Sequence, residues 1–265
     1  MTAADPLVFD LEERAFSAWP APQNVYFGGW VFRLGGGFTK RANSANALGE
    51  RQDFRAESVN AWTPRRAFAE VAAEAERFYG AHGQPTIFRL TPLAGADADL
   101  ALAEAGYAAL DPSLVMTKPL RPGPDVGDVR LEPGASRAWL NGVTEANGVA
   151  PSHRANHDRI VQSIALPVAF ASWPAEGPAR GFGMAVLDRG AVGLFDIVVH
   201  PSQRGRGAGR RLTEALIAWG QREGASLAYL QVAEANRPAR RLHESLGFRE
   251  AYRYHYRRRE LGARG

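Results

Sequence analysis

The chain is 265 residues long, 45% hydrophobic, with no cysteine and a formal net charge of +4. Disulfides, a cysteine nucleophile and thiolate metal sites are therefore excluded, and the six histidines contain no HExxH-like spacing, so no metal is expected. No apolar run approaches the roughly 20 residues that cross a bilayer. The acidic N-terminal stretch lacks the basic-then-apolar pattern of a signal peptide, so the expectation is a cytoplasmic protein without a membrane partner.

In chain order, Gly28 to Ser44 combines strand-like segments with a glycine-rich polar turn, which fits a glycine-dependent hairpin or a wall of an acceptor pocket. Thr63-Pro64 start a helix with Ala67, Phe68, Val71, Ala75 and Phe78 on one side. Thr86 to Thr91 read as a strand, and Leu100 to Ala105 as a helix closed by Gly106-Tyr107. Three prolines and two glycines between Pro119 and Asp128 interrupt both helix and strand, which places a domain boundary there, between residues 1–120 and 126–260.

Beyond it, Val129 to Glu132 reads as a strand, Ser136 to Val143 as a helix, and a further helix capped by Ser152 runs to Ile164. Strands follow at Pro167–Trp173, Phe182–Leu187 and Leu194–Val199, the last ending at His200-Pro201. Leu212, Ala215, Leu216 and Trp219 form the apolar stripe of a helix that stops at Gly224, and Leu227 to Val232 is the next strand. Asn236 caps a helix with Ala239, Leu242, His243 and Leu246 on one face and Gly247 in the left-handed stop position. From Tyr252 to Arg258, tyrosines alternate with basic residues, as in a half-buried strand, and no nucleic-acid partner is expected.

Ala-Glu-Ala-Gly-Tyr107 parallels Glu-Ser-Leu-Gly-Phe248, and the spacing from Pro64 to Tyr107 matches that from Arg206 to Phe248 to within one residue. The two halves thus read as copies of one supersecondary unit. Before Thr63-Pro64, however, Arg55 to Trp62 contains no glycine that lets a phosphate approach the backbone.

Gln203-Arg-Gly-Arg-Gly-Ala-Gly-Arg210 lies between a strand and a helix start. Its glycines allow inward-pointing amides, the helix N-terminus adds partial positive charge and the arginines add full charge, which together suit a pyrophosphate. This loop, with Ile197 to Gly209, Asn236 to Ala239 and Leu242-His-Glu-Ser-Leu-Gly-Phe248, resembles the GCN5-related N-acetyltransferase (GNAT) superfamily over the second half. The resemblance implies an α/β fold of two GNAT-like units, each a mixed, mostly antiparallel sheet flanked by helices. The second is complete; the first, lacking the pyrophosphate loop, is a degenerate copy serving as scaffold or acceptor wall.

The resemblance also implies acetyl-CoA as co-substrate and an amine acceptor (small molecule, peptide or protein), attacked directly in a ternary complex. Main-chain groups of Ile197, Val198 and Val199 would pair with the pantetheine arm, and one of their amides would steady the oxyanion. Arg204, Gly205, Arg206, Gly207, Ala208, Gly209 and Arg210 would hold the pyrophosphate, and Asn236 would touch the cofactor from the other side. His243 stands where many members carry a tyrosine acid, and Gln231 where many carry a glutamate base. Glutamine cannot accept a proton at neutral pH, so a base comes from Asp196, from Glu234, or is not needed. His243 fits either a general acid or a core histidine, and Asp196 fits either a catalytic or a structural role. His153 and His157, four apart, read as a solvated helix face. The loss of both usual helpers leaves a catalytically silent acyl-CoA-binding regulator as the alternative to a transferase.

Overall fold

A computed structural model of the chain describes residues 5–49, 67–121 and 127–261. The first elements are α1 (Pro6–Ala18), β1 (Gln23–Phe27), β2 (Trp30–Leu34), β3 (Ala45–Ala47), α2 (Phe68–Ala81), β4 (Thr86–Leu90), α3 (Ala96–Glu104) and β5 (Ala108–Pro119). There follow β6 (Arg130–Glu132), α4 (Arg137–Ala146), α5 (Pro151–Gln162), β7 (Val168–Trp173), β8 (Gly181–Asp188) and β9 (Ala191–Val199). The last are α6 (Ala208–Arg222), β10 (Leu227–Ala233), α7 (Arg237–Ser245) and β11 (Arg249–Arg259). The expected helix start at Thr63-Pro64, the glycine-free stretch before it and part of the expected linker lie outside the described residues. α5 begins at Pro151 with Ala150 in the cap position rather than Ser152, because proline already fits the first helical position without an N–H.

Packing divides the chain into two units, one of Met1–Glu13, Ala21–Ser113 and Tyr252–Gly265, the other of Arg14–Pro20 and Leu114–Ala251. In the first, β1-β2-β3-β4-β11 are neighbours in that order. β1 and β2 form a hairpin through Gly28 and Gly29, β3 runs parallel to β4, and β11 is antiparallel to β4 with Tyr256 opposite Arg89. The apolar core joins Phe32, Phe88, Leu90 and Tyr107 to Val71, Ala75 and Tyr79 of α2. A buried ion pair, Glu12 with Arg89, lies in this unit, each side chain only 2% exposed. Tyr252 Oη donates to Glu12 Oε1 at 2.5 Å, and the Arg89 guanidinium sits 3.9 Å from the Tyr254 ring centroid.

In the second unit the order is β5-β10-β9-β8-β7-β6. Pairing is antiparallel from β6 to β9 and parallel between β9 and β10. Leu212, Ala215 and Leu216, the stripe expected on α6, are buried against this sheet. The helix comes so close that a Cβ on Gly220 would lie 2.8 Å from Val192. α4 starts at its Ser136 cap, whose hydroxyl accepts from Trp139 N at 3.2 Å, and Trp139 Nε1 donates to Ala171 O at 3.0 Å.

Each unit contains the same succession of elements. An antiparallel pair (β2–β3, β8–β9) leads through a helix (α2, α6) to a strand parallel to its second member (β4, β10), then to a short helix (α3, α7). Both short helices stop at a glycine in the left-handed region, Gly106 (φ 82) and Gly247 (φ 91), followed by a buried aromatic. The closing bonds match as well: Tyr107 N to Leu102 O at 2.9 Å and Phe248 N to His243 O at 3.0 Å.

Replacing Glu12 by Gln leaves the buried Arg89 charge uncompensated. A loss of about 3–5 kcal/mol is expected, read by denaturant unfolding followed through tryptophan fluorescence.

Candidate active site

The site originates in one irregularity of β9. Against β8, Phe182 pairs with Val198 and Met184 with Phe195, so Asp196 and Ile197 together oppose Gly183. This is a β-bulge, and Asp196 in it adopts φ 49, a left-handed conformation that aspartate tolerates better than most side chains. On its other edge β9 pairs with β10 only from Ala191 to Leu194, although β9 continues to Val199 and β10 to Ala233. Past Leu194 the parallel strands part. His200 N donates to Arg180 O at 2.7 Å on the β8 side, so strand alternation turns the main chain of Val199 toward the opened edge. There Val199 O accepts from Arg204 Nε at 3.1 Å.

β9 ends in a 3-10 turn over Pro201–Gln203, and the glycine loop then delivers the chain to α6. Gly205 (φ 77) and Gly207 (φ 80) are left-handed, and a Cβ at either would meet nothing within 4 Å. Conformation and not crowding demands glycine there, and open space lies in front of the loop. Gly207 occupies the cap position of α6 and offers no side-chain acceptor, so amides of the first turn remain available to an anion. Arg206 is exposed, while Arg210 bonds Glu214 at 3.1 Å and Ser245 Oγ at 2.6 Å. α7 packs on the loop side of α6: a Cβ on Gly209 would lie 3.3 Å from Leu242. Asn236 caps α7, its Oδ1 accepting from Ala239 N at 3.2 Å. Ile197, Val198, Val199 and Arg204 to Arg210 thus follow one another along the strand end, the turn and the start of α6, with α7 packed beside that helix.

Asp196 Oδ2 lies 2.8 Å from His157 Nε2. His157 is 1% exposed, which overturns the solvated-face reading. Its ring stacks on Trp139 (centroids 6.4 Å, 19°) and tilts against Trp19 (6.2 Å), which itself stacks on Phe195. Burial alone would lower its pKa, but the hydrogen bond and charge of Asp196, then the nearby charge of Asp158, outweigh it, and the ring titrates above its ordinary 6.5. The sequence does hold a signal: His157 precedes Ile160 and Val161 by three and four residues, on the apolar stripe of α5. His153, one turn earlier, is half-buried. Among the described residues no group of three or more His, Asp or Glu is arranged to hold a metal ion.

His243 is 6% exposed, edge-on to Phe248 with centroids 5.8 Å apart. Burial pushes its pKa down to about 4, so the ring is neutral near pH 7. Its Nδ1 is buried without a hydrogen-bond partner among the described residues.

Comparison with known proteins agrees with this geometry. Residues 8–257 match the family model described as "Probable histone acetyltransferase Rv0428c C-terminal". The chain is 30% identical over 254 residues to the probable histone acetyltransferase Rv0428c of Mycobacterium tuberculosis, covering 90% of this chain and 70% of that protein. It is 26% identical over 253 residues to the uncharacterized N-acetyltransferase YobR of Bacillus subtilis, covering 93% and 96%. Among solved structures, a GCN5-related N-acetyltransferase from Kribbella flavida shares the fold, with a TM-score of 0.64 at 16% identity over 99% of this chain and 98% of that one. A sheet that opens after Leu194, a glycine turn feeding a helix and a family match over nearly the whole chain agree: the chain belongs to the GNAT family of acetyltransferases.

Proposed function

We propose that the second unit transfers an acetyl group from acetyl-CoA to a primary amine in a ternary complex. The parting of β9 from β10 carries this reading, because it leaves a strand edge free beside an anion-binding turn. Acetyl-CoA fits the residues present. The strand end of Ile197, Val198 and Val199 offers strand-like hydrogen bonds to an amide-bearing arm where its main chain turns away from β8, as at Val199. The uncapped first turn of α6, with Gly205, Arg206, Gly207, Ala208 and Gly209 in front of it and Arg204 and Arg210 alongside, suits a pyrophosphate. Asn236, the cap of α7, would touch the cofactor from the other side.

Bound acetyl-CoA supplies the activated thioester; the chain supplies position and proton handling. An amide at the bulge, where β9 departs from regular pairing, steadies the charge developing on the carbonyl oxygen. Asp196 accepts the proton that the nitrogen sheds as the C–N bond forms, the role that Gln231 cannot fill. His243, neutral because it is buried, does not serve as a standing acid. This supply of a proton acceptor favours turnover over silent acyl-CoA binding. The element succession common to both units supports reading residues 1–120 as a degenerate GNAT-like copy and 126–260 as the catalytic one.

Calorimetric titration with acetyl-CoA should give one site per chain, and Gly207→Glu, which obstructs and repels the pyrophosphate, should abolish it. Absence of binding to the unaltered protein would overturn the proposal.

His243 provides a second check. Its native pKa of about 4 lies below the unfolded value of about 6.5, so between these the unfolded state holds more protons and stability falls as pH falls. His243→Leu removes this component. Denaturant melts from pH 7 to 4 should show the variant losing less stability than the wild type.

A further inference from the structure

The buried imidazole of His157 lies between two carboxylates. Nε2 is 2.8 Å from Asp196 Oδ2 at the bulge, and Nδ1 is 3.6 Å from Asp158 Oδ1, an ion-pair distance too long for a hydrogen bond. From α4, Arg137 NH1 donates to Asp158 Oδ2 at 2.7 Å. Asp158 and Arg137 line an open groove on α4 and α5, so the outer end of this chain of charges is in reach of water. Trp19, just past the end of α1, and Trp139 of α4 lie against the ring, and neither is charged. Asp196 makes no other hydrogen bond among the described residues, which leaves its second oxygen for a substrate.

We propose that His157 is a positioning residue for acetyl transfer: its Nε2–H holds Asp196 in place for the amine, and a second proton on the ring withdraws that carboxylate from use. The inference rests on the reading of Asp196 as the group that meets the amine. In the neutral ring, Nε2–H fixes one oxygen of Asp196 and secures the left-handed residue of the bulge. When Nδ1 is also protonated, the ring carries a full positive charge 2.8 Å from the carboxylate, neutralises it and repels a cationic amine. A merely structural tie requires only a hydrogen-bond donor, whereas this ring is an ionisable group with a carboxylate near each of its two nitrogens. Proton balance is simple. The amine nitrogen bonds the thioester carbon, the C–S bond breaks with its electron pair on sulfur, nitrogen loses one proton to Asp196 and thence to solvent, and sulfur regains one.

Two arms test this. In the unliganded protein, NMR titration of the histidine rings should place His157 above 6.5, and Asp196→Asn and Asp158→Asn should each lower that value. A wild-type value below 6.5, or one indifferent to Asp196→Asn, would overturn the proposal. In the second arm, CoA release is followed from pH 5.5 to 9 with spermidine, glycinamide and an alanine-leading peptide as acceptors. Wild-type kcat should fall on the acid side at the pH where His157 titrates, and the limb should move to lower pH in Asp158→Asn. His157→Gln, which keeps a donor for Asp196 but cannot titrate, should retain most of the alkaline kcat and lose the acid limb. His157→Leu, with Asp196 unanchored, should lose about 100-fold at every pH. An acid limb in His157→Gln identical to that of the wild type would reduce His157 to a structural tie. If none of the amines is acetylated by the wild type, the transferase reading of the site fails, and the NMR arm alone decides whether His157 and Asp196 form one titrating pair.

Discussion

A single surplus residue in β9 governs the second unit. Because Asp196 and Ile197 share the place opposite Gly183, β9 bends and can no longer follow β10 beyond Leu194. A regular sheet would have satisfied every amide of Phe195 to Val199 with a neighbouring strand, leaving nothing for a ligand to pair with. The bulge therefore gives up a few ladder bonds and in exchange exposes a strand edge between two fixed walls, one ending in the glycine loop and the other in α7. The same distortion holds Asp196 in the left-handed region, with its carboxylate against His157. The unpaired strand end and the left-handed placement of Asp196 are thus products of one backbone feature.

How rigidly this is held follows from its surroundings. α6 lies tightly on the sheet at Gly220, and its first turn meets α7 at Gly209 and Leu242, so the anion-binding end of the helix is fixed relative to the cleft. Behind the bulge, His157 is enclosed by Trp19 and Trp139, large flat side chains with few rotamers to lose. These walls are preformed, so a ligand held between them would not spend binding energy on ordering them.

Much of this was legible in the sequence. The β9–loop–α6 passage could be read because glycine, arginine and proline act locally: Gly205 and Gly207 are required by their own dihedral angles, and the apolar stripe of α6 by the helical period. The stop at Gly247 and its counterpart at Gly106 were legible for the same reason. What escaped depends on partners distant in the chain. α1 carries Glu12 and ends just before Trp19, two residues whose meaning comes from Arg89 and His157, and nothing near them announces either. The tyrosine alternation of β11 marks a half-buried strand but does not say that it pairs with β4. His157 was misread because a polar letter on an apolar stripe was given to solvent, although Ile160 and Val161 share its face. Asp196 was named on chemical grounds, while the bulge that gives it an unusual backbone has no sequence signature beyond the glycine opposite.

Trp19 has a consequence for how the second unit is delimited. The covering wall of the His157 ring is contributed by Arg14–Pro20, at the far end of the chain from the cofactor loop, yet this short stretch belongs to the second packing unit. Cutting the polypeptide between residues 121 and 127 would keep the glycine loop and α6 and discard Trp19, letting water onto the ring and onto Phe195. Sequence signature and working site are therefore not coextensive here. A fragment can carry the complete motif and still lack the dry surroundings that set the charge of its most buried histidine.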